Sequence, residues 1–190
     1  NKVVIVWKDD NNSNYGTAIV GNIDASNNTI SFGSQVVFES AESRYFSLAF
    51  DSSSNKIVIA YTDIGNSSYG TAIIGTVSGT SISFGTPVVF ESGTTNYKGI
   101  AFDSNSNKVV LSFKDVGNSN YGTALLGTVS GTNISFGSSS VFESAQSNFM
   151  AAVFDSNSNK VVIAYQDAGD GDAGKAVVAT VSGTNISFGS

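Results

Sequence analysis

Apolar residues fall in short runs separated by clusters of Gly, Ser, Asn and Asp, the rhythm of strands and tight turns. Lys56-Ile57-Val58-Ile59-Ala60-Tyr61 is apolar on both alternating faces, which predicts an interior strand covered on both sides. Thr71 to Val77 predicts the next strand, and Ser78-Gly79-Thr80 a hairpin turn into Ile82-Ser83-Phe84 and Val88-Val89-Phe90. Pro87 cannot donate to a ladder, so 81–90 is expected at the outer edge of its sheet. In Gly99-Ile100-Ala101-Phe102-Asp103 small residues alternate with large ones, as a crowded innermost strand requires, and Ser104 to Asn107 turns the chain back.

This pattern recurs. Phe32, Phe84, Phe136 and Phe188 stand 52 residues apart, each within I-S-F-G, and Asp51, Asp103 and Asp155 stand 52 apart within F-D-S. An ungapped comparison of 55–106 with 107–158 gives 31 identities in 52 positions, so the repeats are copies. The chain reads as a single unit of copies 1–54, 55–106, 107–158 and an incomplete 159–190. The first copy carries two extra residues between Ile23 and Thr29, which marks a surface turn. Four antiparallel strands per copy, with an inner strand of small residues and a proline-tolerant outer edge, predict an all-β fold of four-stranded β-propeller blades. A parallel β-helix has shorter coils, and a 52-residue unit cannot bury two sheet faces as a separate sandwich. The chain opens at the second strand of a copy and stops at Ser190, before the fourth is complete. It is therefore expected to be an arc, finished by other copies or by other chains.

The units N-K-V-V-I-A-Y-x-D-x-G-N-S-N-Y-G-T-A and T-V-S-G-T-x-I-S-F-G resemble the highly repetitive propellers of bacterial and phage surface proteins, along the whole chain. That resemblance implies a propeller fold and an extracellular, cell-surface or virion-surface setting such as a phage tail fibre. It implies no particular activity.

Composition narrows the chemistry. The net charge is -6, and the nine cations, eight lysines and Arg44, form no cluster able to follow a phosphate backbone, so nucleic acid is not expected as a partner. No apolar run reaches membrane-spanning length, and no membrane insertion is expected. Without cysteine there are no disulfides or thiolate metal sites, and without histidine no histidine-based triad or metal centre. Most acids recur once per copy, as Glu39, Glu91 and Glu143 do, whereas glycoside hydrolysis needs an asymmetric pair. The expectation is a chain that is not an enzyme.

Recognition is expected at the end bearing the longer loops, Asp63 to Gly70 and Asp115 to Gly122, beside the connections Ser92 to Tyr97 and Ser144 to Phe149. Tyr69 and Tyr121 with Asn66 and Asn118 offer an aromatic platform and amide hydrogen bonds, a mixture that suits sugars. Arg44, Asn96 and Asn148 lie in the connections that vary between copies. The bland alternative packs the tyrosines into the fold and spends the amides on their own turns. In the fourth copy Asp167, Asp170 and Asp172 alternate with glycines and could ligate Ca²⁺, the one cofactor considered, although a solvated acidic turn explains the same residues. The expected function is adhesion or ligand recognition, with a cell-surface glycan or protein as partner; the alternative is a structural or assembly scaffold within a larger surface particle.

Overall fold

The structure is a computed structural model, and it describes residues 1–189. Ser190, the last residue of the fourth copy, lies outside the described residues. The fold is all-β apart from one 3-10 turn, Ala168–Asp170. Its strands are β1 (Lys2–Asp9), β2 (Tyr15–Asp24), β3 (Thr29–Phe32), β4 (Val36–Asp51), β5 (Lys56–Asp63), β6 (Tyr69–Ser78), β7 (Ser81–Phe84), β8 (Val88–Asp103), β9 (Lys108–Asp115), β10 (Tyr121–Ser130), β11 (Asn133–Phe136), β12 (Ser140–Asp155), β13 (Lys160–Asp167), β14 (Ala173–Ser182) and β15 (Asn185–Phe188).

All fifteen belong to one antiparallel sheet in the order β1-β2-β4-β5-β6-β8-β9-β10-β12-β13-β14-β15, with β3, β7 and β11 paired beside β2, β6 and β10. The sheet is open, and its path does not return from β15 to β1. This corrects the expectation of a propeller built from separate four-stranded blades. The reason lies in the segments expected as connections. Ser92 to Tyr97 is strand, so the expected outer and inner strands fuse into the 16-residue β8. Its first half pairs with β6, as in Ala72↔Val88 and Tyr69↔Thr94, and its second half pairs with β9, as in Ala101↔Val110. β4 and β12 join their neighbours in the same way, so each long strand carries the ladder onward where a blade would have ended. The span 81–90 is likewise not one outermost strand. Ser81–Phe84 flanks the second half of β6 and Val88 onward its first half, with Pro87 in the break immediately before β8.

Each long strand contains an irregularity at its centre, between Arg44 and Ser47, Asn96 and Gly99, and Asn148 and Ala151. Consecutive repeats share apolar clusters across these junctions. Ala18 and Val20 pack with Ile57, Ile59 and Tyr61; Val58, Ala60 and Ile74 with Val109, Leu111 and Phe113; Val110 and Leu126 with Val161 and Ile163. The doubly apolar strand predicted at Lys56 to Tyr61 is buried on both faces for this reason. Each fully buried Ile or Leu contributes about 1.5–3 kcal/mol, so stacking of repeat on repeat stabilises the array more than any turn does. The small residues predicted for the inner segment also have a cause, since a Cβ on Gly99 would lie 2.9 Å from backbone atoms of Ala151 and Ala152 in the following long strand.

The turns behave locally. Gly79 takes φ +61° in the predicted hairpin, and Asp103 accepts hydrogen bonds from Asn105 N (2.9 Å) and Ser106 Oγ (2.7 Å). Asp51, Asp103 and Asp155 were expected to meet Lys56, Lys108 and Lys160 across strands. The pairs are in register, but each aspartate caps its own turn and each lysine donates instead to a threonine of the next strand: Thr76, Thr128 and Thr180. The two-residue insertion forms an exposed turn in which Ser26 and Asn27 hold Asp24, and these hydrogen bonds bring its carboxyl down to about 2.

Candidate functional site

The loop ends of the strands and the centres of the long strands meet at one end of the array. Ile64 N donates to Glu42 O (2.9 Å) and Val116 N to Thr94 O (3.0 Å), which holds each D-x-G-N-S-x-Y-G loop against the long strand beside it. Asn66 and Asn118 are exposed, and their backbone N–H groups donate to Asp63 Oδ1 and Asp115 Oδ1, both at 3.1 Å. Tyr69 and Tyr121 are half-buried and sit in ladder positions, opposite Asp63 and Thr94 and opposite Asp115 and Gln146. Arg44 is exposed and bound to Glu42, with its Nε 2.7 Å from Oε1. Asn148 is half-buried, accepting from Lys114 Nζ (3.0 Å) and donating to Gln166 Oε1 (3.1 Å). Asn96, also half-buried, pairs with Lys114 in the ladder. The predicted residues therefore share an end, with the asparagines of the loops on its rim and those of the long strands within the sheet.

What sequence reasoning missed is a row of rings at the centres of the long strands. Tyr45, Tyr97 and Phe149 adopt φ of 53°, 45° and 49°, a left-handed conformation that bulky residues rarely take and that costs of order 1–3 kcal/mol each. Their rings form a continuous row, with centroids 5.3 Å apart for Tyr45 and Tyr97 and 4.7 Å for Tyr97 and Phe149. Phe149 at the end of the row is 65% exposed. The available signal was periodic: an aromatic ring follows Arg44, Asn96 and Asn148 at intervals of 52 residues, within connections read as variable.

Cations accompany the rings. Lys98 Nζ lies 5.9 Å from the Tyr45 centroid and Lys114 Nζ 5.8 Å from that of Tyr97, within reach of a cation–π attraction. Lys98 is buried and donates to Thr62 Oγ1 (2.6 Å) and Thr95 O (3.2 Å), while Thr62 Oγ1 donates to the same carbonyl. Burial drives its ammonium well below the usual lysine range, and desolvation lowers Lys114 as well. Neither has a carboxylate partner among the described residues, whereas Lys8 pairs with Asp10 at 2.9 Å. A shallow depression beside the first ring is lined by Lys8, Arg44, Tyr45 and Phe46.

The recurring glutamates lie in the sheet rather than in a cleft. Tyr61 Oη donates to Glu39 (2.9 Å) and Tyr165 Oη to Glu143 (3.0 Å), while the corresponding ring at position 113 is phenylalanine. Burial raises Glu39 and Glu91, and burial followed by the Glu143 hydrogen bond raises Tyr165 to about 12. In the acidic turn Asp167 is buried and caps the 3-10 turn, accepting from Gly169 N (2.8 Å). Lys175 Nζ stands between Asp167 (2.7 Å) and Asp170 (3.0 Å), and its hydrogen bond holds the Asp167 carboxyl low. Asp172 is exposed, and the three carboxylates do not form a cation-binding group among the described residues. An ammonium thus fills the position between two of the oxygens assigned to Ca²⁺.

The largest groove, of ≈ 610 Å³, lies elsewhere, between β1 and the second half of β4, with walls from Val3, Val4, Leu48, Ala49 and Phe50. No helix among the described residues is long and apolar enough to cross a membrane. A scan against protein-family models and a search of curated proteins find no match to this sequence.

Proposed function

We propose that the chain is a non-enzymatic recognition module whose ligand, a glycan on a cell or particle exterior, lies along the ring row of Tyr45, Tyr97 and Phe149. The observation that carries this reading is the threefold retention of a bulky ring in left-handed backbone on an exposed edge. Glycine or asparagine would adopt that backbone at lower cost, so the rings themselves are what the position retains. A row of rings flanked by Arg44, Lys8 and Lys114 combines stacking surfaces for sugar faces with donors for hydroxyl or acidic groups. The exterior setting rests on the resemblance of the repeats and on the cysteine-free, Ser/Thr/Asn/Gly-rich composition.

A glycan array probed with the intact chain tests the reading. Binding that Phe149→Ala abolishes, in a protein with unchanged melting temperature, supports it; silence across acidic and neutral glycans removes it. The scaffold reading has an observation of its own. Positions buried between repeats in the middle of the array are exposed at its two ends, with Ile5 and Val178 the clearest cases, and such faces suit docking to further copies.

A further inference from the structure

β1 is the first-copy counterpart of β5, β9 and β13, with Lys2-Val3-Val4-Ile5 matching Lys56-Ile57-Val58-Ile59. Each of the three later strands is paired on both sides. On one side lies the following hairpin strand, and on the other the second half of a long strand in a constant register: Asp51↔Lys56, Asp103↔Lys108 and Asp155↔Lys160. β1 pairs only with β2 and stands at the end of the sheet path. Its other edge presents unpaired ladder groups, a ready template for another strand.

The apolar groove of ≈ 610 Å³ runs beside that free edge. Its walls are the residues that enclose an inner segment in the later repeats: Val3 and Val4 of β1, and Leu48 and Ala49 of the adjoining half of β4. The room for a backbone is set by small residues. Gly99 shows how closely successive inner segments approach, and Ser47 and Ala49 occupy the corresponding small positions of β4 that face the groove end of the array. Lys2 lines the groove at the place where each later repeat sets an aspartate opposite lysine.

We propose that this edge and groove form an acceptor site for an extended peptide segment of the repeat's own inner-strand type, supplied by another polypeptide and added as an antiparallel strand. The register is fixed by the later repeats. Aspartate of the incoming segment lies opposite Lys2, phenylalanine opposite Val3, a small residue opposite Val4, and a large aliphatic residue opposite Ile5. Main-chain hydrogen bonds supply the affinity, and the small–large alternation supplies the selectivity. The site is independent of the glycan reading, since it lies at the free edge of β1 rather than on the ring row.

The test uses the intact chain and a synthetic peptide with the sequence of residues 95–103, Thr-Asn-Tyr-Lys-Gly-Ile-Ala-Phe-Asp. Binding is read by calorimetry, by the fluorescence of Trp7, the single tryptophan, which lies on β1, and by amide exchange of β1. Saturable binding with new protection confined to β1 is expected. A scrambled peptide, and one with proline in place of the central isoleucine, should bind at least tenfold more weakly. Ala49→Trp fills the groove and should abolish binding. Lys2→Glu, at an exposed position that leaves folding intact, should weaken it roughly fivefold. Absence of saturable binding to the folded chain overturns the proposal, as does equal binding of the proline peptide or unchanged affinity in both variants.

Discussion

The ring of Tyr97 lies 4.7 Å from that of Phe149, one repeat further along, while its own other neighbour, Tyr45, is 5.3 Å away. Tyr97 is thus enclosed by rings on two sides, whereas Phe149 has a ring on one side and is largely exposed. The same repeat position therefore does two jobs. Tyr97→Ala should lower stability by about 3 kcal/mol, because it empties the middle of the row. Phe149→Ala should leave thermal unfolding nearly unchanged and weaken ligand binding by about 1 kcal/mol or more. Melting curves of the two variants beside binding isotherms check both statements, and equal loss of stability in the two would mark the row as purely architectural.

Gly85 follows β7 and abuts the hairpin turn of the next repeat, where a Cβ would collide with the Thr132 carbonyl oxygen. Backbone carbonyls in a packed turn cannot rotate away as a side chain can. Gly85→Ala should destabilise the fold by several kcal/mol, on the order of severe overpacking. Gly79→Ala offers a contrast, because its Cβ meets nothing and only the φ of +61° opposes it, so a loss of about 1–2 kcal/mol is expected. Chemical denaturation of the pair separates collision from backbone strain.

Much of the local structure was legible. The alternation in Lys56 to Tyr61, the glycine turn at Gly79 and the crowding at Gly99 each follow from residue chemistry acting over a few positions, and each is found as expected. The architecture was misread at one point, the stretch Ser92 to Tyr97. Its Ser, Gly, Thr and Asn content signals a loop, yet its backbone pairs with β6 on one side and β9 on the other. Tertiary pairing overrides propensity there, and the continuous long strand replaces the expected break between blades. The ring row was hidden for a related reason. Tyr45, Tyr97 and Phe149 are a repeated feature within connections whose other residues differ, and only the left-handed kink of each long strand aligns them.

Lys98 occupies the position filled by Phe46 in the preceding long strand and Met150 in the following one. It is buried with only Thr62, Thr95 O and the Tyr45 ring to receive its ammonium, and its pKa is depressed by desolvation. The folded chain therefore binds fewer protons than the unfolded chain between the depressed value and about 10.4, so this residue makes stability rise with pH across that window. Lys98→Met should raise stability at pH 7 by roughly 1 kcal/mol and flatten the alkaline part of the stability profile. Denaturation midpoints of both proteins between neutral and strongly alkaline pH measure it. A destabilised variant would mean that the hydrogen bonds to Thr62 and Thr95 outweigh the desolvation.

One position of the repeat is completely buried in three copies, at Ile59, Leu111 and Ile163, and 42% exposed in the first, at Ile5. Another is buried at Val20, Ile74 and Leu126 but 44% exposed at Val178 in the last. The two positions belong to opposite faces of the repeat, which meet each other at every internal junction. The exposed face of the first copy and that of the last are therefore complementary by the same packing that joins the copies within the chain. Contact between them is head-to-tail, so association should continue past a dimer as concentration rises. Ile5→Lys and Val178→Lys each remove one face, and each variant alone should sediment as a monomer while retaining the wild-type melting curve. Mixed in equal amounts they still possess one intact face of each kind, and they should form dimers that grow no further. Wild-type chain that stays monomeric at high micromolar concentration, or single variants that still dimerise, would show that the end faces do not recognise one another.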